Sequence, residues 1–154
     1  LHAQGGRQES VSGDLRIEAV RLRDHHGQLT DACEMGQPLI VEVAYASARR
    51  IEHPSIRISI HQIGGLVCHV AVSPSNGMMP PLHERGVLRL RYPAMSLLPN
   101  GYWVSVEIGE RSGSCLLDSR SHAAFFMVRS DSRESGVVHL ECQWEHAAGV
   151  GAGR

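Results

Sequence analysis

Apolar and polar residues alternate with a period of two over most of this chain, and no segment sustains a helical period. The clearest run is Leu97 to Ile108. Pro99, Asn100 and Gly101 form a turn there, with Asn-Gly supplying the backbone freedom that tight turns need. In the strand that follows, Tyr102, Val104, Val106 and Ile108 fall on one face, and Trp103, Ser105 and Glu107 on the other. The first row reads as core. The second places an indole, a hydroxyl and a carboxylate in one outward row.

Similar patterns predict the remaining strands. Leu15 to Leu22 changes parity between Ile17 and Val20, so a bulge near Glu18-Ala19 is needed to keep one buried face. Asp24-His25-His26-Gly27 reads as a turn. Pro38 to Tyr45 places Leu39, Val41, Val43 and Tyr45 inward, and Ser55 to Ile63 does the same with Ile56, Ile58 and Ile60. Gly64-Gly65 predicts a two-residue hairpin into Leu66 to Val72. Ser73 to Arg85, with three prolines, reads as a long loop. Val87 to Tyr92 turns Leu88, Leu90 and Tyr92 inward, and a turn is expected over Arg111 to Gly113. Cys115 to Leu117 and His122 to Val128 follow, with Phe126 and Val128 in and Phe125 and Met127 out. Gly136 to Trp144 closes the fold, with Val138, Leu140, Cys142 and Trp144 on one face. Residues 1–13 read as a linker, 14–146 as the folded domain and 147–154 as a flexible tail. Short strands at this spacing predict an all-β fold, an immunoglobulin-like antiparallel β-sandwich, in which Tyr102 would be the tyrosine corner.

Composition narrows the chemistry. The 154 residues carry a formal net charge of −1, which offers no electrostatic case for nucleic acid or an anionic membrane. All fifteen basic residues are Arg, so lysine Schiff-base chemistry and a P-loop lysine are excluded. No apolar run is long enough for a membrane-spanning helix. Four cysteines without CxxC spacing read as reduced thiols in a cytoplasmic protein. Ten histidines lack HExxH or zinc-finger spacing, so no metal site is expected. GxSxG, GxGxxG and GxxxxGK[ST] are absent, Cys68 and His69 fall on opposite faces of a strand, and nothing fixes a Glu107–Glu141 separation for glycoside hydrolysis. The chain reads as non-catalytic, with no cofactor.

The outward rows are more informative. In an immunoglobulin-like arrangement the strands of Ser55 to Ile63, Trp103 to Ile108 and His122 to Val128 share a sheet. Its outer face would gather Arg57, Ser59, His61, Trp103, Ser105, Glu107 and Phe125, with Met127 beside them. Sugar rings stack their C–H faces on aromatic side chains and hydrogen-bond planar polar groups, so this set is a candidate carbohydrate site. The alternative is a structural interaction module whose aromatic face packs on a protein partner.

The order of segments resembles the C-terminal domain of the ATPase subunit of O-antigen polysaccharide ABC exporters, the Wzt type. The resemblance is carried by GDLRIEAVRLRDHHGQ at Gly13 to Gln28, GQPLIVEVAYAS at Gly36 to Ser47 and the Ile-x-x-Pro step at Ile51 to Pro54. LLPNGYWVSVEIGE, FFMV at Phe125 to Val128 and VVHLECQW ending at Trp144 complete it. It implies a sandwich that binds the non-reducing terminal structure of the exported glycan and couples it to transport. It further implies a homodimer, with exchange of a C-terminal strand over Val137 to Trp144. Contact with the membrane subunit would run through a preceding nucleotide-binding domain, whose motifs are missing here, so Leu1 onward would be the severed linker. The location implied is cytoplasmic, peripheral to the inner membrane. No pocket residue is carried over by identity; the site set rests on strand parity alone.

Overall fold

The computed structural model describes residues 8–10, 13–73, 79–111 and 115–149. Among these residues nine strands run in chain order: β1 Gln8–Ser10, β2 Leu15–Arg23, β3 Ala32–Glu34, β4 Leu39–Ile51, β5 Pro54–Gln62, β6 Val67–Ser73, β7 Leu82–Tyr92, β8 Asn100–Glu110 and β9 Cys115–Arg129. They form two layers. One sheet has the order β1-β9-β8-β5-β6, with β3 also paired to β9; the other is β2-β4-β7. There is no helix among the described residues, and the fold is all-β, as the alternation predicts.

The core lies between the layers and is built from the inward rows. Leu15, Ile17, Leu39, Val41 and Val43 meet Ile56, Ile58, Ile60, Val104, Val106, Ile108 and Phe126, all buried. Tyr102 is fully buried, stacks on Phe126 at 5.4 Å, and donates its hydroxyl hydrogen to the Leu98 carbonyl, the geometry of a tyrosine corner. Gly86 leaves the inner face of β7 open for the Tyr45 ring, which lies where a Cβ would stand. The β2 bulge falls between Ile17 and Ala19, where parity requires it. β2 is an edge strand, and the polar groups that Ile17 turns outward are met by β9. The buried Asp118 carboxylate accepts the Ile17 N–H at 2.6 Å, and Arg120 Nη2 donates to the Ile17 carbonyl at 2.8 Å. Close by at the same end of the sandwich, Arg49 donates to Asp14 and Glu110, each at 2.9 Å, joining the two sheets.

Several sequence expectations are corrected. Gln8–Ser10, within the span read as linker, pairs with Ser119 and its neighbours, because a ladder needs backbone groups rather than an apolar pattern. Of the other terminal residues assigned to linker and tail, 1–7, 11–12 and 150–154 lie outside the described residues, as do 74–78 and 112–114. The hairpin after β5 has a three-residue loop, Ile63–Gly65. It is closed by Gln62 N–H to Leu66 O, with Gly65 at φ +96° as the bulge residue. β7 begins at Leu82, so the long loop is shorter than its prolines imply. β3 runs parallel to β9, an exception to an otherwise antiparallel sandwich that three residues cannot announce. Cys115 to Val128 is one strand, interrupted by bulges.

The largest departure is at the C-terminal end. Gly136 to Trp144 is expected as a closing strand, yet after an isolated bridge between Val138 and Leu97 it joins no ladder. Leu140 is 70% exposed and Trp144 is 100% exposed. Alternation marks a segment that can bury one face, but a strand also needs a neighbour.

Candidate functional site

The outer face of the larger sheet is set by register. Across β5 and β8, His61 pairs with Trp103, Ser59 with Ser105, and Arg57 with Glu107. Across β8 and β9, Trp103 pairs with Phe125. Paired residues share a face, so the seven predicted positions form two central columns and a third side. His61, Trp103, Ser105 and Phe125 make one contiguous cluster, with Ser59 next to Ser105 and the exposed Arg57 and Glu107 one rung further.

A residue the parity reading did not include completes the cluster. Between the Val104–Ala124 and Val106–Arg120 pairs, β9 passes three residues, Ser121 to Ala123, opposite the single residue Ser105. Two extra residues leave the parity on either side unchanged, so alternation assigns His122 to the interior. Its backbone is left-handed, φ +50°, and the side chain is turned outward onto the sheet. The one sequence trace of this bulge is the wholly polar run Asp118 to His122 inside a strand. Ser105 holds the strained turn, its Oγ accepting the His122 N–H at 3.0 Å.

Four rings result. His122 meets His61 edge-on at 4.8 Å and Trp103 at 5.2 Å, and Trp103 meets Phe125 at 5.1 Å. Ser105 Oγ is also 3.0 Å from His61 Nε2. With the His122 amide donating to Ser105, the hydroxyl hydrogen is available for His61 Nε2, which suits a neutral imidazole. Burial, and then the neighbouring His122 charge, pushes His61 below the ordinary histidine range, in the same direction. At the far end Gly101 carries no side chain, and the Phe125 ring occupies the space: a Cβ there would stand 2.9 Å from Phe125 Cζ and 2.5 Å from Ile63 Cδ1. Met127, 40% exposed, extends the same surface.

Chemically, this is an open platform of four rings with hydroxyl, imidazole, guanidinium and carboxylate groups around it. Among the described residues no three of His, Cys, Asp and Glu come together to hold a metal ion. None of the four cysteines forms a disulfide, and burial pushes the Cys33 thiol up to about 11, far from a reactive thiolate. A second, apolar feature lies at the sandwich edge between β6 and β7. There the sheets part over cavities of about 470 Å³, lined by Ile56, Ile58, Met79, Leu88 and Leu90, and about 260 Å³, lined by Met95, Leu97 and Val138 among others. His69 Nδ1 and the Tyr92 hydroxyl, 3.1 Å apart, bridge the gap.

Comparison with curated protein sequences gives no match. Among solved structures, the crystal structure of the C-terminal domain of Wzt superposes with a TM-score of 0.78 at 14% identity, covering 95% of this chain and 94% of that one. A DNA glycosylase from Pseudomonas fluorescens, AlkC bound to DNA containing an abasic site analog, gives a TM-score of 0.49 at 12% identity. That alignment covers 76% of this chain and 31% of the other. The structural likeness at 14% identity establishes the sandwich. The family model described as the Wzt C-terminal domain matches residues 7–140, from β1 through the Leu97–Val138 bridge, and the chain belongs to that family.

Proposed function

We propose that this domain is a non-catalytic recognition module that binds the exported O-antigen polysaccharide at its non-reducing terminal structure and couples it to an ABC exporter. The observation that carries this reading is the contiguous platform of His61, His122, Trp103 and Phe125, with hydrogen-bonding groups set around it. A pyranose stacks its C–H face on Trp103 and Phe125 and directs hydroxyls to Ser59, Ser105, Arg57 and Glu107. Neutral His61 serves the same end, since it offers a hydrogen bond without a charge to desolvate. The open face leaves much of each sugar in water, so affinity is modest. In this reading the domain acts at the cytoplasmic side of the inner membrane and reaches the membrane subunit through a nucleotide-binding domain.

The same reading includes a homodimer in which the C-terminal segment is exchanged. Two features support it. Leu140, Cys142 and Trp144 alternate on a segment with no ladder of its own, and the apolar gap between β6 and β7 lies open beside its point of departure at Val138. Size-exclusion chromatography with light scattering on the chain, and on a variant ending at Gly136, separates dimer from monomer.

A protein-binding role for the platform is favoured by one observation: Val67 and Val72, at the β6 edge of the same sheet, are 59% and 49% exposed. The deciding experiment is a glycan pull-down with the host polysaccharide against polysaccharides of other structure. Trp103→Ala is expected to abolish capture while leaving the fold and dimer intact. Unchanged capture removes the glycan site from this face.

A further inference from the structure

The outer face of the smaller sheet has the opposite character. By register Arg16 on β2, and Arg85, Arg89 and Arg91 on β7, flank Ile40, Glu42, Ala44 and Ala46 of β4. Arg21 and Arg23 complete the β2 side. Six guanidiniums stand against two carboxylates on a chain whose formal net charge is −1.

Neither carboxylate neutralises its neighbourhood, because each is shared. Glu18 Oε1 lies 3.2 Å from Arg16 and 3.6 Å from Arg85. Glu42 takes Arg23 at 3.1 Å and Arg89 at 3.0 Å, and these two side chains roof it to 5% exposure. Arg21, paired in register with Glu42, and Arg91, paired with Ile40, have no ion-pair or hydrogen-bond partner among the described residues. Four guanidiniums therefore crowd one carboxylate within about 10 Å across the strands and about 7 Å along them. Such density repels itself unless an anion is shared among them.

The shape of the face selects the ligand. Beyond Glu42 the floor is Ala44, between Ala19 and Val87, and then Ala46, between Arg16 and Arg85, so a shallow trough of small residues separates two groups of arginines. The trough runs into a cleft of about 550 Å³ lined by Arg16 and Arg85 but also by the carboxylates of Asp14 and Glu84, so an anion is taken at the opposite end, by Arg21 and Arg91. A linear polymer can lie along such a trough, whereas a flat bilayer reaches only its rims. No Trp, Tyr or Phe stands on this face, so it lacks the stacking platform that single-stranded nucleic acid uses. The guanidinium fork matches the planar carboxylate, and no lysine is present to offer a bare point charge.

We propose that this face is a second glycan-binding surface, separate from the aromatic platform, that takes the carboxylate groups of an acidic polysaccharide chain. It rests on the glycan reading above for the kind of polymer alone. The test measures binding of the intact chain to polygalacturonate by biolayer interferometry, at low and at moderate salt. Neutral dextran, poly-L-glutamate and phosphatidylglycerol-containing vesicles serve as comparison probes. Polygalacturonate should bind, and weaken about tenfold as salt screens the contacts. Arg21→Gln with Arg91→Gln should weaken it at least about tenfold at low salt. Arg91→Gln alone, at an exposed position, should lose part of that. Trp103→Ala should leave it unchanged, which separates this surface from the platform whatever the fate of the latter. Absence of polygalacturonate binding, indifference to the arginine variants, or loss with Trp103→Ala alone overturns the proposal. Tighter capture of polyglutamate or of vesicles overturns it in favour of a protein or a membrane.

Discussion

The two outer faces of this sandwich obey one parity rule and carry opposite chemistry. On the six-stranded sheet the outward row collects rings: His61, His122, Trp103 and Phe125, with small polar groups between. On the three-stranded sheet it collects guanidiniums around two shared carboxylates. The inner rows of both sheets are interchangeable in kind, since aliphatic burial asks only for volume and fit. Chemistry that distinguishes the faces is thus written where the core makes no demand. One face is suited to stack a neutral ring with short reach; the other attracts charge over a Debye length.

The largest expected effect comes from crossing the two faces in one experiment. Trp103→Ala should remove capture of the host polysaccharide without moving the salt-dependent polygalacturonate signal, and the Arg21→Gln and Arg91→Gln pair should do the reverse. If either variant lowers both, the faces form one site and the comparison fails. The layer beneath gives the next test. Tyr102→Phe deletes the hydrogen bond to the Leu98 carbonyl and should cost about 1–2 kcal/mol in urea unfolding. Neither ligand should notice, because the tyrosine is buried in the core and stands on neither outer face.

A smaller effect is expected at Gly101. An added Cβ collides with the Phe125 ring, so Gly101→Ala should shift that ring and weaken glycan capture several-fold while the arginine face is untouched. Nuclear magnetic resonance contacts between Phe125 and Trp103 would register the displacement; an unmoved ring would mean that Ile63 yields instead.

Smallest, and the sharpest in separating the faces, is the response to acid. His61 is held below its usual value of 6.5, mainly by burial. Its neutral form is thus favoured in the folded state, and the unfolded chain takes up the proton first as pH falls. The contribution is present above about pH 6.5 and is lost as pH drops through the folded value. Glu42 is held below 4.5 by its bonds to Arg23 and Arg89, against the opposing effect of burial. Its contribution is present above about pH 4.5 and is lost only on further acidification. Acid should therefore loosen the aromatic face first and the arginine face second. Unfolding measured at pH 7, 5.5 and 4 on the chain, on His61→Gln and on Glu42→Gln checks the order. Removing His61 should flatten the first interval, and removing Glu42 the last.

The platform itself was legible in large part. Strand parity, joined to the immunoglobulin-like arrangement, puts Arg57, Ser59, His61, Trp103, Ser105, Glu107 and Phe125 on the outer face of one sheet, and the register places them together. His122 was illegible because a bulge of two residues restores parity on both sides and leaves no mark in the alternation. The trough of the smaller sheet was illegible for another reason. Arg89 and Arg91 read as outward, but which strands flank β4, and hence which arginines share Glu42, depends on pairings between residues tens of positions apart.

The class of fold, the inward rows, the β2 bulge and the tyrosine corner were all readable from the order of residues. All of these follow from local period and from burial that any sandwich must satisfy. That β2, β4 and β7 form a sheet of their own, that Asp118 and Arg120 close the β2 edge, and that Gly136 to Trp144 joins no ladder came from the folded arrangement. Alternation says which side of a strand is apolar. It does not say which strand lies next to it, because backbone hydrogen bonds are the same for every partner.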